Sequence, residues 1–190
     1  GFRLDVNVTE PDVWPLAVQG PKAETLMARV FGEDVRNIKF FNIKPMTYQG
    51  VSMQVARSGW SKQGGFEIYV NDESLAGPLW DELFAQGQDL NVGPGCPNLI
   101  ERVESGLLSL GNDMGYDTTP LECGLEQYVD LESDIDSLSL PALRQHTPER
   151  QLKGLVINQA VEIIDLNVYV DGQVVGQITS QAYAPKYGVH

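Results

Sequence analysis

The sequence is poor in histidine and cysteine, and that scarcity closes several chemistries at the outset. Its 190 residues hold two His, His146 and His190, and two Cys, Cys96 and Cys123. The cysteines lie far apart and form no C-x-x-C pair, so they read as reduced, small apolar side chains of a cytoplasmic protein. Two scattered His and two scattered Cys do not assemble a zinc site, and no metal is expected. No G-x-S-x-G elbow and no Walker A loop occurs. Gly93-Pro94-Gly95 lacks the third glycine of a dinucleotide fingerprint; it reads as a turn feeding a helix, with Pro97 near the first helical position. Long apolar runs are missing as well. None approaches the roughly 20 residues that span a bilayer, and no basic n-region with an apolar h-region opens the chain. No membrane partner is expected.

Positive charge is also in short supply. Thirteen Lys and Arg against 26 Asp and Glu give a net charge of -13 at pH 7 and a pI near 4.4. A field of that sign repels phosphate backbones, which argues against nucleic acid as a partner. Acidity names no partner by itself, and the oligomeric state stays open. What remains is ordinary: 42% apolar and 21% charged residues describe a globular chain, long enough for one large domain or two small ones with cores of their own.

Leu4, Val6 and Val8 alternate with polar residues as a strand does, and Leu16 to Val18 suggests another. Gly20-Pro21 breaks the pattern, and Pro21 to Phe31 places Leu26, Met27, Val30 and Phe31 at helical spacing. Strands are expected over Lys39 to Lys44 and Val51 to Arg57, with the turn signal Gln49-Gly50 between them. Gly64-Gly65 introduces a further strand, Phe66 to Val70. Asp72 or Ser74 caps a helix reaching about Gln86, its inward face Leu75, Leu79, Leu83 and nearby Trp80. A short strand near Asn91-Val92 precedes a helix over Asn98 to Leu110. The succession predicts an α+β layer, an antiparallel sheet covered by helices. Leu131 to Arg150 is mixed and polar and reads as a linker. Beyond it the pattern is all-β: a strand over Leu152 to Ile157, then a hairpin of Val168 to Val170 and Val174 to Thr179 with a type I′ turn at Asp171-Gly172. Three regions follow: 1–130, 131–150 and 151–190. The chain begins without Met and enters a strand at once, so it is expected to be a fragment of a longer protein lacking both ends.

The segment Gly59 to Val70 stands apart. Period-two geometry puts Phe66, Ile68 and Val70 on one face of a strand and Glu67 with Tyr69 on the other, beside a glycine-rich approach with room for a ligand. A carboxylate there can accept two parallel hydrogen bonds from a pterin or guanidine-like edge. The pattern alone leaves open a plain solvent-exposed strand face.

This run resembles the R-x-G-[YW]-[ST]-x-x-x-G-[FY]-E segment of the glycine-cleavage T-protein family, matched at Arg57, Gly59, Trp60, Ser61, Gly65, Phe66 and Glu67. Further family-like pieces follow the family's order: Leu16 to Ala23, Arg102-Val103-Glu104-Ser105-Gly106, and Thr119 to Leu125. The resemblance spans nearly the whole chain and implies a folate-binding α+β region over 1–130 and the start of a C-terminal β-barrel domain over 151–190. It implies tetrahydrofolate as one-carbon acceptor, with Glu67 gripping the pterin and Trp60 lining the site. It makes Arg102 a contact to the folate or to a substrate carboxylate; the residues alone leave open a surface salt bridge with Glu101 or Asp113. Arg102 and Gly106 are one turn apart, and a mid-helix glycine, costing about 1 kcal/mol relative to Ala, suggests a close approach.

Two departures refine the resemblance. T-proteins usually carry T-G-E after the aromatic, where this chain has Ser61-Lys62-Gln63, and Gly93 to Arg102 precedes the helix in an unusual form. Both are similar to the dimethylsulfoniopropionate demethylase branch of the family, which implies methyl transfer from a small-molecule sulfonium to tetrahydrofolate. Trp60 and Tyr69 would then hold the sulfonium by cation–π contact, worth roughly 0.5–2 kcal/mol. The alternatives are an aminomethyltransferase proper and a folate-binding assembly factor that is not an enzyme; the K-G-C-[YF] motif of the latter is missing. The family's catalytic-region aspartate is expected upstream of residue 1, so the catalytic residues stay unassigned.

Overall fold

A computed structural model describes residues 6–96, 99–157, 165–185 and 188. The chain divides into two compact units, Gly1–Pro97 and Asn98–His190.

The first unit is a four-stranded antiparallel sheet with two helices packed on one face. Its strands are β1 (Trp14–Gln19), β2 (Ile43–Tyr48), β3 (Val51–Ala56) and β4 (Gly65–Val70), in the order β1-β4-β3-β2. The helices are α1 (Ala23–Phe31) and α2 (Ala76–Gln86). Alternation along the strands sends Met53 and Val55 of β3 and Phe66, Ile68 and Val70 of β4 to the covered face. There they meet Leu26, Met27 and Phe31 of α1 and Leu75, Leu79 and Leu83 at α2, forming one core. Leu75, Leu79 and Leu83 are buried as the spacing predicts, whereas Trp80 is 43% exposed. It lies against Phe84, with ring centroids 4.9 Å apart. Asp72 does cap the turn before α2, its side chain accepting a hydrogen bond from the Ser74 amide at 3.0 Å.

The expected strand Lys39 to Lys44 is displaced. The turn Gln49-Gly50 has φ of 47° and 81°, the two left-handed residues of a type I′ hairpin, and it pairs Tyr48 with Val51 and Ile43 with Ala56. Counting back from that turn fixes β2 as Ile43–Tyr48. Phe40 and Phe41, whose apolarity imitates a strand, sit in a turn where Phe41 has φ 59°. No strand forms at Asn91-Val92 either, because Asn91 adopts a left-handed conformation. Val6 and Val8 carry no strand. Leu4, Pro97 and Asn98 lie outside the described residues.

The second unit contains α3 (Leu99–Glu104), α4 (Leu140–Gln145) and a hairpin of β5 (Asn167–Val170) and β6 (Gln173–Gln177). The expected helix to Leu110 stops at Glu104, and Gly106 is its stop signal. Gly106 has φ 64°, the Leu107 amide donates to the Arg102 carbonyl at 2.9 Å, and the Gly106 amide donates to that of Val103 at 3.1 Å. These are the two bonds of a Schellman cap. Gly106 therefore lies past the helix end, and a Cβ there would meet nothing within 4 Å, so it permits no close approach. Within the segment 131–150, α4 forms with a proline in its first turn. Among the described residues, 152–157 form no strand. The hairpin at Asp171-Gly172 forms as the pattern predicts, with φ of 50° and 77°. Together the two units are a mixed α and β chain built on an antiparallel sheet with helices.

Candidate functional site

Strand β4 presents two different faces. Phe66, Ile68 and Val70 are each at most 1% exposed, whereas Glu67 and Tyr69 point the other way and are half-buried. Across the two ladders Glu67 is paired with Ala17 and Ala56, and Tyr69 with Pro15 and Gln54. The methyl groups of the two alanines stand about 4.5–5.5 Å from the Glu67 Cβ and are far shorter than its side chain. The carboxylate thus rises above its neighbours in the sheet.

The loop 57–64 runs up to this face, and Gln19 at the end of β1 organises it. The Gln19 amide nitrogen donates to the Ser58 carbonyl at 3.0 Å and to the Phe66 carbonyl at 3.2 Å. Its amide oxygen accepts from the Ser61 hydroxyl at 2.7 Å. The Ser61 hydroxyl in turn accepts from the Gln63 amide at 3.2 Å. Glycine is required where the loop crosses Gln19: a Cβ on Gly59 would fall 2.1 Å from the Gln19 side chain, and one on Gly65 would fall 2.4 Å from the Val18 carbonyl. The Ser58 hydroxyl donates to Oε2 of Glu67. Oε1 takes no hydrogen bond from any described residue, so one oxygen of the carboxylate is held and the other is offered. Trp60, at the loop's crest, is 42% exposed.

Arg57, the first residue of the motif, has a structural task. Its guanidinium donates to Glu24 of α1 at 2.5 Å and to the Ile38 carbonyl at 3.2 Å, and it lies 5.4 Å from the centroid of the Phe66 ring. The hydrogen bond from Arg36, joined by the hydrogen bond and charge of Arg57, holds the Glu24 carboxyl below the usual glutamate range against the opposing effect of burial. The arginine thus ties the start of the loop to the helix beneath the sheet.

Arg102 belongs to the second unit. It is 5% exposed and paired with Asp113 at 2.5 Å; it also donates to the Ser180 hydroxyl. Asp113 accepts from the Ser109 amide at 2.9 Å, from Thr179 at 2.8 Å and from Ser180 at 2.6 Å. Burial pushes the Asp113 carboxyl up, but the hydrogen bonds from Ser180, Thr179 and Ser109, with the charge of Arg102, outweigh it and hold the group below the usual range. The pairing with Asp113 was one of the two partners open at the level of sequence, but it is buried rather than at the surface. A cleft of about 300 Å³ adjoins it, lined by Leu99, Arg102, Asn112, Ile178, Ser180 and Gln181 among others.

The structure therefore sets Glu67 and Tyr69 side by side in the first unit, leads to them through the loop bearing Trp60, and within the second unit holds Arg102 in a buried network. Sequence reasoning missed the part played by Gln19 and Ser58. The signal was faint: Gln19 is a polar residue that continues the alternation of β1 just before a Gly-Pro break.

Residues 3–133 match the GCVT N-terminal domain. The chain is 53% identical to the dimethylsulfoniopropionate demethylase DmdA of Ruegeria pomeroyi over 98% of its own length and 52% of that protein's. It is 32% identical to an aminomethyltransferase of Alkaliphilus metalliredigens over 97% of its length and 52% of the other's, and 31% identical to one from Caldanaerobacter subterraneus over 97% and 50%. The chain spans about half the length of the curated relatives it matches. With a domain match over most of its residues and the Arg57–Glu67 segment folded as a loop against an open strand face, this chain belongs to the glycine-cleavage T-protein family.

Proposed function

We propose that the protein containing this chain is a tetrahydrofolate-dependent methyltransferase that demethylates dimethylsulfoniopropionate to methylthiopropionate and 5-methyltetrahydrofolate. The observation that carries this reading is the 53% identity with DmdA over 98% of the chain, against 31–32% with the aminomethyltransferases. The local geometry supports it. Glu67 has a carboxylate oxygen open to a donor edge, on a face shared with Tyr69 and reached through the Trp60 loop, and that arrangement suits the pterin of tetrahydrofolate.

In this reading tetrahydrofolate supplies the nitrogen that accepts the methyl group. The carbon–sulfur bond breaks with its electron pair going to sulfur, a neutral thioether leaves, and one proton passes from the folate nitrogen to solvent. No proton has to reach the leaving group, so the protein's main contribution is alignment of the two reactants. Glu67 fixes the pterin, and Trp60 and Tyr69 hold the sulfonium against their faces; Arg102, already paired with Asp113, would meet a folate or substrate carboxylate only at the cleft it lines. The 151–190 region opens a C-terminal β-barrel domain after a 131–150 linker, and the enzyme works in the cytoplasm. Among the described residues no helix is long and apolar enough to cross a membrane, and both Cys96 and Cys123 are unpaired thiols.

The test uses the full-length protein. It is incubated with tetrahydrofolate and either dimethylsulfoniopropionate or an aminomethyl-lipoyl carrier, and the products are read by mass spectrometry. Methylthiopropionate with 5-methyltetrahydrofolate is expected. Methylene-tetrahydrofolate and ammonia from the lipoyl carrier alone would identify an aminomethyltransferase instead.

A further inference from the structure

We propose that Gln19 is the positioning residue of this site, setting the conformation of segment 58–65, the loop with the first residue of β4, and, through Ser58, the aim of the Glu67 carboxylate. The inference rests on the reading of Glu67 as the pterin-binding group and deepens it. Gln19 stands at the end of β1, beside Gly65 in the sheet register, and all of its side-chain polar groups are spent on the loop and its junction with β4. One end donates to the Ser58 and Phe66 carbonyls; the other accepts from Ser61.

The bond to Phe66 fixes the amide to β4, while those to Ser58 and Ser61 gather the two sides of the Gly59-Trp60 crest onto it. Backbone pairing then closes the far end, the Gly20 amide donating to the Gly64 carbonyl at 2.9 Å. A Cβ on Gly59 would fall 2.1 Å from the Gln19 amide and one on Gly65 2.7 Å from its Cδ, so the loop backbone packs directly on that side chain. Ser58 sits between the two systems. Its carbonyl is held by Gln19 and its hydroxyl donates to Glu67 Oε2. Losing Gln19 frees the Ser58 backbone, and with it the one hydrogen bond that orients the carboxylate among the described residues. The aromatic at the crest, Trp60, is placed by the same anchor. A glutamine serves here because a single planar amide supplies both donors and an acceptor in fixed geometry. Preorganisation of this kind lowers the ordering cost that a ligand would otherwise meet on binding.

The test compares wild type, Gln19→Met and Ser61→Ala in the full-length protein by amide hydrogen exchange and by calorimetric titration with tetrahydrofolate. Gln19→Met keeps the side-chain length and removes all three polar contacts. Exchange across 58–65 should speed at least tenfold while α2 (76–86) is unchanged, and the tetrahydrofolate dissociation constant should rise at least tenfold. Ser61→Ala removes one contact, and should loosen the same segment to a smaller degree; it carries the test if the methionine variant does not fold. Unchanged exchange over 58–65 overturns the proposal. So does faster exchange spread equally over 58–65 and α2, which marks a merely structural role, and so does a loosened loop with unaltered folate affinity. Wild-type protein that binds no tetrahydrofolate refutes the folate reading instead, and the exchange comparison still decides whether Gln19 sets the loop.

Discussion

Glu67 and Asp113 are both hydrogen-bonded carboxylates, yet their surroundings give them opposite work. Glu67 is half-buried, flanked by two alanines, and bonded through one oxygen to Ser58. Its second oxygen takes no hydrogen bond from any described residue, and on the proposed folate reading Glu67→Gln in the full-length protein is expected to weaken tetrahydrofolate binding by roughly 1.5–3 kcal/mol, the scale of a charged hydrogen bond. Calorimetry reads it, and unaltered affinity would remove Glu67 from the site. Asp113 is enclosed, with both oxygens engaged and Arg102 as its counter-ion. Asp113→Asn leaves that guanidinium without a counter-charge and is expected to cost about 3–5 kcal/mol of stability. Because the folded-state pKa of Asp113 is lowered, its contribution is complete above the unfolded-state value and is lost as pH falls through the folded one. Urea titrations should therefore show the gap between wild type and variant constant at neutral pH and closing below about pH 4. A gap that persists undiminished at pH 2.5 would contradict the assignment. Glu67 was legible because strand alternation sets its face. The burial of Arg102 was not, since Thr179 and Ser180 are far along the chain and only tertiary folding brings them in.

At the scale of elements, local signals located the turns well and the helix ends and strand registers less well. Gln49-Gly50 and Asp171-Gly172 each supply the two positive φ angles of a hairpin turn, and both hairpins form. Phe40-Phe41 looks like part of a strand, whereas the register of β2 is counted outward from the turn. The helix expected to Leu110 ends at Glu104 for the opposite reason: the apolar spacing continues past Glu104, but Gly106 supplies a left-handed cap that overrides it. Gly106→Ala places a Cβ on a residue at φ 64° with open space around it. The penalty is therefore conformational, about 1–2 kcal/mol, and should appear as a lowered denaturation midpoint. A close approach to another element would have produced a far larger loss.

At the scale of the whole molecule the dominant physical fact is the net charge of -13. The ion pairs of the first unit, Arg29 with Asp89, Arg36 with Glu24 and Glu33, and Arg57 with Glu24, are at least partly exposed, where each contributes little. Arg29 does hold the Asp89 carboxyl down to about 2, but as an exposed pair it adds little to stability. Self-repulsion among the surplus carboxylates is the larger effect. Raising salt from 10 to 150 mM shortens the screening length from roughly 30 to 8 Å and is expected to raise the thermal midpoint by about 2–4 °C, the shift that 1 kcal/mol gives in a chain of this size. A midpoint that falls with salt would mean that the ion pairs outweigh the repulsion.

The sequence by itself determined the quantities that depend on near neighbours along the chain: the antiparallel sheet with helices, the positions of the turns at Gln49-Gly50 and Asp171-Gly172, the buried face of β4, and the glycine-spaced segment from Arg57 to Glu67 that marks the family. Those follow from period-two alternation, from the positive φ that glycine tolerates and from motif spacing. Tertiary structure decided what each polar group is bonded to. Gln19 reaches a loop about 40 residues away, Arg57 is drawn to Glu24 rather than to a ligand, and Arg102 is enclosed with Asp113 and Ser180. A hydrogen bond forms only where two groups arrive within about 3 Å in the right direction. That meeting is set by how strands and helices pack, and no local pattern encodes it.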